Sequence, residues 1–375
     1  MRGSLVWRTG VLALLATVAV ASSGDRSSDF QDCLSKCVGR CHPWTALSLD
    51  LRLTRWTCGD DCKYTCMHML TDNAVRDGKP IQQYYGKWPF WRLLGMQEPA
   101  SVAFSLWNMW FHLQGARQIS RRMPATHPMK PYYLTWAYVS INAWTWSAVF
   151  HTRDLPRTEK LDYFSAALAI MYALYFTVTR MLHMYPRATD SSVPKSTAKL
   201  RSAMCIAWSM LCIAAYIAHV TYLTILPRFD YSYNMAFNLA LGLAHNLLWL
   251  LYSLPRSVSL LRRFPHAPKT YRPSYAYKAG LFVALTTAAT ALELFDFPPV
   301  GRVLDAHALW HLSTAPIAKL WYDFLVEDAL DEGWRAPQQR LLSPFHVHYN
   351  IPPPAYSQQS TKTLSGMVER WAAKE

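Results

Sequence analysis

The sequence predicts an all-α membrane protein, a seven-transmembrane helix bundle that follows an N-terminal, disulfide-rich helical domain. Several stretches of about 20 residues carry little or no charge, which is the length that crosses a hydrocarbon core. The chain has 16 Trp and 21 Tyr, and both residue types concentrate at membrane interfaces. Six of its eight cysteines lie within 34 residues, a density typical of secreted domains.

The first 22 residues have the features of a signal peptide. Arg2 and Arg8 form a basic start, residues 11–20 form a short apolar core, and Ala21 and Ser22 are small enough for cleavage. The alternative is a membrane anchor, for which a core of about 10 residues is short. In both cases the segment that follows enters the secretory lumen.

The six clustered cysteines form two C-x3-C-x3-C triplets, "CLSKCVGRC" and "CGDDCKYTC". Spacing of i, i+4 places each triplet on one stripe of a helix. Two such helices in an oxidising compartment predict three disulfides, although a metal site is the alternative and the pairing stays open. The residues are Cys33, Cys37, Cys41, Cys58, Cys62 and Cys66.

The whole chain divides into four predicted parts. Residues 1–22 are the signal peptide, 23–100 the lumenal cysteine-rich domain with an interfacial linker, 101–326 the transmembrane domain, and 327–375 a cytosolic tail. The seven predicted spans are about 101–116, 132–151, 161–182, 202–225, 233–254, 275–295 and 303–326.

The net charge of +14 does not indicate a nucleic-acid partner, because the basic residues lie mainly in short loops between apolar segments. Three loops are strongly basic, residues 117–130, 187–201 and 256–272. The positive-inside rule places these loops in the cytosol. We therefore expect a multi-pass protein of the endoplasmic reticulum or Golgi membrane, with a lumenal N-terminal domain and a cytosolic C-terminus.

Five polar residues fall at one predicted depth, near the lumenal boundary. Ser147 and His151 are one turn apart at the end of the second span, Asp162 starts the third, and His307 and His311 are one turn apart in the seventh. Two histidines at i, i+4 with a third from another helix form a catalytic zinc site that leaves a coordination position open. The alternative for each histidine is a hydrogen-bonded residue at a helix end.

This site predicts hydrolytic chemistry. Zinc makes water nucleophilic at neutral pH. Asp162 could accept the proton of that water, and Ser147 could donate a hydrogen bond to the substrate carbonyl or the developing oxyanion. Ionisable groups inside membrane segments are expensive and are therefore candidates for function.

The pattern S-x3-H-x10-D followed by H-x3-H resembles the CREST hydrolase superfamily of seven-helix proteins with an intramembrane zinc. The segments "YYGKWPFWRLLGMQEPASVAFSLWN" and "HTRDLPRTEKLDYF", with the cysteine triplets, resemble its Per-type family of GPI-anchor lipid remodelling proteins. The resemblance implies zinc ligands at His151, His307 and His311, with Ser147 and Asp162 as catalytic residues.

The resemblance also implies a reaction, removal of the sn-2 acyl chain from the lipid of GPI-anchored proteins by a phospholipase A2-type ester hydrolysis. Arg153 and Asp154 are weaker candidates for binding substrate, since they lie beside the site and an interfacial ion pair also explains them. The alternatives are a ceramidase-like amide hydrolase and a non-enzymatic seven-helix lipid receptor or chaperone with a structural zinc.

One motif departs from the superfamily, whose first helix often carries E-x2-N-x3-H. Here the positions are Ser105, Asn108 and His112. The missing acid argues against a role for this trio in the site.

Overall fold

The computed structural model describes residues 23–42, 47–185 and 195–335. Within these ranges the chain forms ten α-helices and four short 3-10 helices, and its only β-type pairings are three isolated bridges. The all-α class is therefore confirmed. The predicted signal peptide and residues 336–375 of the predicted tail lie outside the described residues.

The cysteine-rich domain is built on two helices, α1 (Ser28–Val38) and α3 (Cys58–Arg76), with the short α2 (Leu49–Leu53) between them. The side chain of Thr57 caps α3 by accepting a hydrogen bond from the amide of Asp60, at 3.2 Å. The two helices are antiparallel, so the first cysteine pairs with the last. The predicted disulfides are confirmed, and the pairs are Cys33–Cys66, Cys37–Cys62 and Cys41–Cys58.

The linker after α3 contains two tight turns of the same kind. Isolated bridges close them, between Tyr84 and Lys87 and between Leu93 and Met96. The first central residue of each turn has a positive φ, 52° at Tyr85 and 51° at Leu94. A glycine follows in both, and glycine adopts this left-handed conformation without steric cost.

Seven long helices occupy the seven apolar segments. They are α4 (Pro99–Arg122), α5 (Lys130–Thr152), α6 (Pro156–Met181), α7 (Lys195–Ile225), α8 (Tyr231–Ser253), α9 (Tyr277–Glu293) and α10 (Ala306–Ala329). Three of them, α6, α7 and α8, are long and apolar enough to cross a membrane. That the other four also cross stays a prediction; α9 has only 17 residues, and buried serines lower the hydropathy of α4 and α5.

Six of these helices pack in a ring, in the order α4, α5, α6, α8, α9 and α10, and α10 returns to α4. Helix α7 lies outside, against α6, and His219 of α7 stacks on Phe237 of α8. The contact between α4 and α10 is close because Gly115 faces the Tyr322 ring, which a Cβ at position 115 would overlap. The first and last helices of the bundle thus meet, which brings their polar residues together.

One end of the bundle holds a fully buried ion pair between Arg180 of α6 and Asp328 of α10, with distances of 3.1 and 3.0 Å. The Tyr252 hydroxyl donates to Asp328 at 2.7 Å, and Arg180 donates to the carbonyl oxygen of Arg263 at 2.6 Å. The indole of Trp334 donates to the carbonyl oxygen of Asp328. Residues beyond α10 therefore pack against the bundle up to Trp334.

Breaking this pair should destabilise the fold strongly. Arg180→Met leaves a buried carboxylate unpaired, which costs about 3–5 kcal/mol. The matched control is Lys319→Ala, which removes an exposed pair with Asp323 and should cost at most about 1 kcal/mol. Thermal unfolding of the purified protein in detergent should give a much lower Tm for Arg180→Met than for Lys319→Ala. Equal Tm values would contradict this role of the pair.

Candidate metal centre

Three histidines meet at the other end of the bundle. His151 comes from the last turn of α5, and His307 and His311 come from the first two turns of α10. The Nε2 atom of His307 lies 2.9 Å from that of His311 and 3.3 Å from that of His151. All three rings can offer a ligand atom to one ion. The structure thus brings together the three predicted ligands.

Local sequence fixes where these helices begin and end. Pro156 at the first position of α6 favours an extended Leu155 before it, so α5 and α6 are separate helices. The Asp305 side chain caps α10 by accepting a hydrogen bond from the amide of Ala308, at 2.8 Å. Spacing of i, i+4 then directs both histidines of α10 to one face.

Each ring has a hydrogen-bond partner on its outer nitrogen. The Nδ1 atom of His151 lies 2.7 Å from Glu98, and that of His307 lies 2.7 Å from Glu293. The partner of the third ring is a hydroxyl: Nδ1 of His311 lies 3.0 Å from Ser105 Oγ. Acceptors at all three Nδ1 atoms leave the Nε2 lone pairs facing one another.

This arrangement fits a divalent cation. Three imidazole lone pairs at such short separations repel one another unless a cation or protons lie between them. Carboxylates behind two of the rings orient them and increase their basicity, as outer partners do at metal sites. Three nitrogen ligands from a pre-arranged set suit zinc.

Ser147 lies behind His311, on a chain of hydroxyls. Its Oγ is 3.0 Å from Ser105 Oγ, and the Ser105 hydroxyl donates to the carbonyl oxygen of Ser101 at 2.7 Å. Ser105 can therefore accept hydrogen bonds from both His311 and Ser147. Asn108 supports the same helix by donating to the carbonyl oxygen of His311 at 2.7 Å.

Asp162 is a half-buried carboxylate on α6, close enough to His307 to interact with its charge. His307 and Lys87 attract its charge, and Glu98 and Glu293 repel it. Among the described residues it has no hydrogen-bond partner. It is therefore the acidic group near the site that stays available for proton transfer.

Lys87 links the linker to the centre. Its ammonium pairs with Glu98, pairs with Asp154 at 3.1 Å, and lies 4.3 Å from the centre of the Phe150 ring. Burial opposes its charge, but the two carboxylates outweigh burial and raise the pKa of Lys87. Lys87 therefore stays protonated and keeps Glu98 ionised behind His151.

Ion pairs dock the cysteine-rich domain on this end of the bundle. Arg153 donates to Asp60 of α3 at 2.8 Å and lies over the Trp56 ring. His68 stacks on Trp91 and accepts a hydrogen bond from Arg302. Burial lowers the pKa of His68 to about 4, and nearby arginines contribute to this shift. The hydrogen bond between His68 and a backbone carbonyl oxygen opposes it. The three pairs are Asp60–Arg153, Asp61–Arg92 and Asp72–Arg302. Arg153 and Asp154, the weaker substrate-binding candidates, are thus both held in ion pairs.

The sequence alone did not assign five residues to this centre. Lys87 and Glu98 lie in a segment quoted for the Per-type resemblance, but neither was given a role there. Glu293 belongs to no motif, although a lone acid at the end of an apolar segment is itself a signal. The expectation that Ser105 and Asn108 have no role here does not hold, because both contact His311. The Ser105 hydroxyl lies behind the His311 ring, at the sequence position where the superfamily motif has a glutamate.

Comparison with known proteins gives the family. The Per1-like family matches residues 48–329. The chain belongs to the Per1-like family. It is 41% identical to the Protein PER1 homolog of Schizosaccharomyces pombe over 82% of this chain and 87% of that protein.

Two further Per1-like relatives carry functional names. The GPI-specific phospholipase A2-like PGAP3 of Bos taurus is 38% identical over 86% of this chain and 95% of its own length. The Post-GPI attachment to proteins factor 3 of Drosophila melanogaster is 38% identical over 84% of this chain and 91% of its own length. The family match covers all three histidines as well as Glu98, Glu293 and Ser105.

Removing the carboxylates behind the rings should weaken metal binding in this Per1-like protein. Glu98→Gln and Glu293→Gln should each lower metal affinity about 10–100-fold, measured by competition with a chelating dye. The matched control is Asp323→Asn on α10, away from the histidines. Unchanged affinity in both Gln variants would show that these carboxylates do not support a metal.

Proposed function

We propose that this protein is a zinc-dependent hydrolase that removes the sn-2 acyl chain from GPI anchors, a phospholipase A2-type reaction. The observation that carries the proposal is the set of three inward-facing imidazoles at one end of a membrane bundle. The names of the Bos taurus and Drosophila relatives support GPI lipid as the substrate.

The centre would hold zinc through His151, His307 and His311. When bound, zinc makes water nucleophilic at neutral pH and polarises an ester carbonyl. Glu98, Glu293 and Ser105 keep the ring tautomers fixed by accepting from the Nδ1 atoms.

Asp162 is the proton carrier in this mechanism. As the water oxygen bonds to the carbonyl carbon, its proton passes to the Asp162 carboxylate. The bond between the acyl carbon and the sn-2 oxygen of glycerol then breaks, and Asp162 returns the proton to that leaving oxygen. The products are a free fatty acid and a lyso-GPI anchor.

Ser147 has two roles open to it, and the hydrogen bonds favour one. Ser105 already donates to Ser101, so the Ser147 hydroxyl donates to Ser105 in the hydrogen-bond chain. We therefore assign Ser147 to positioning His311 through Ser105. The direct role, donation to the oxyanion, requires Ser147 to leave this chain.

The same proposal includes the membrane in which the protein lies and its orientation there. The metal centre and the cysteine-rich domain face the lumen of the endoplasmic reticulum or Golgi, because disulfides form there, and the C-terminus is cytosolic. An sn-2 ester lies just below the headgroups of a leaflet, which matches a site at one end of the bundle. Arg153 and Asp154 then lie at headgroup level, with their charges already paired.

The decisive experiment combines metal analysis with an sn-2 deacylation assay on the purified full chain. His311→Ala should lose both bound zinc and deacylation. The matched control is His183→Asn at the opposite end, where φ is 55° and asparagine tolerates that conformation. Wild-type protein without metal, or His311→Ala with full activity, would refute the mechanism.

Ceramide supplied in place of GPI lipid tests the bond that is cleaved. An ester hydrolase should release fatty acid from GPI lipid and leave the amide of ceramide intact. Release from ceramide alone would make the protein a ceramidase-like amide hydrolase. Zinc without hydrolysis of either lipid would favour a receptor or chaperone.

Two serine variants separate the roles of Ser147. If Ser147 positions His311, Ser147→Ala and Ser105→Ala should both weaken zinc binding and lower kcat. If Ser147 contacts the oxyanion, Ser147→Ala should lower kcat by about 10²–10³-fold with zinc affinity unchanged. Zinc affinity, measured beside kcat, distinguishes the two.

A further inference from the structure

The second linker turn, Leu93–Met96, presents apolar side chains to the outside. Two-residue turns of this kind favour Asn-Gly, since both central residues have positive φ. Here Leu94 takes the first position at 51° and Gly95 the second at 78°. A leucine in the left-handed region costs conformational energy and usually persists for a functional reason.

Helix α2 continues this apolar surface. Gly95 packs on α2, where a Cβ at position 95 would lie 2.8 Å from the carbonyl oxygen of Asp50 and would also overlap Thr54. Two leucines one turn apart on α2 are exposed beside it. The four residues form what we call the leucine patch, and they are Leu49, Leu53, Leu93 and Leu94, exposed by 68%, 73%, 56% and 71%.

Hydrogen bonds fix the leucine patch to the end of the bundle. The Trp56 indole donates to the carbonyl oxygen of Gly95 at 2.9 Å, and Arg153 lies over that indole. Directly after the turn, the amide of Gln97 donates to the carbonyl oxygen of Thr152, the last residue of α5. The patch therefore lies near the start of α6, a helix able to cross a membrane.

Two of the three charged residues on α2 and at its end are basic and suit phospholipid phosphates; the third is Asp50. Arg52 lies on α2 between the two leucines, and Arg55 follows the helix; both side chains are exposed. Arg55 also has a positive φ, 62°. Apolar side chains next to basic ones are the composition of surfaces that lie in a membrane interface.

We propose that the leucine patch inserts into the leaflet at the metal-centre end of the bundle, with acyl chains around the leucines and lipid phosphates on Arg52 and Arg55. This contact does not depend on the chemistry of the metal centre. The effect of this contact on deacylation does rest on the proposed function. Insertion beside the site loosens the packing of the lipids from which an sn-2 ester must move to reach the histidines.

Site-specific photocrosslinking tests the contact itself. The full chain carries a benzophenone amino acid at position 94 or 53 and is placed in nanodiscs of phosphatidylcholine. Phosphatidylcholine adducts should form at both positions, and none at control position 36 on α1, where Lys36 is exposed. Adducts to protein alone, or no lipid adduct at 94 and 53, would overturn the proposal.

A second experiment tests the consequence with variants that keep the turn. Leu94→Gly and Leu94→Asn remove the apolar side chain at a position where both residues adopt positive φ readily. Their Tm should equal or exceed that of the wild type. Deacylation in nanodiscs should fall by up to about tenfold, while deacylation of detergent-dispersed GPI lipid stays unchanged. Equal losses in both media would show that position 94 does not act through the leaflet.

Absence of deacylase activity in the wild type would refute the proposed function and leave the crosslinking result to decide the leaflet contact. The two proposals therefore fail separately.

Discussion

The mutual repulsion of three imidazole lone pairs is the constraint on which this end of the molecule depends. The rings of His151, His307 and His311 can remain this close only with positive charge between them and acceptors behind them. Those acceptors come from three further places, the linker, α9 and α4. One cation would thus tie together the linker and four helices, since α5 and α10 supply the rings themselves.

The cysteine-rich domain is part of this arrangement and is not an independent module. Three arginines, one from the linker and two from loops of the bundle, pair with three aspartates of α3. The disulfides hold α1 on α3, so they stabilise the face that carries those aspartates. Lys87 completes the connection, because it pairs with Glu98 behind His151. A change in the docking of the domain would therefore reach His151 through two side chains, those of Lys87 and Glu98.

Sequence alone identified the groups that periodicity and motif reveal, but not those that tertiary contacts create. Spacing of i, i+4 predicted both cysteine stripes and the paired histidines, and topology placed His151 at the same depth. The disulfide pairing required the antiparallel packing of α1 on α3. Glu98 and Glu293 are isolated acids in sequence. They become partners of the histidines only when the linker meets α5 and α9 meets α10. Ser105 was discounted because an acid was expected at its position.

Two carboxylates at opposite ends of the bundle, Asp328 and Asp162, differ in whether they have hydrogen-bond partners. At the far end, Arg180 and Asp328 satisfy each other. Tyr252 donates a further hydrogen bond to the Asp328 carboxylate, and Trp334 donates to the backbone carbonyl oxygen of Asp328. A charge so fully satisfied stabilises the fold and has no capacity left for chemistry. At the metal-centre end, Asp162 is surrounded by charged groups yet has no hydrogen-bond partner among the described residues. Ionisable groups near lipid are costly, so a carboxylate near His307 that has no hydrogen-bond partner among the described residues supports the proposal that Asp162 carries the proton.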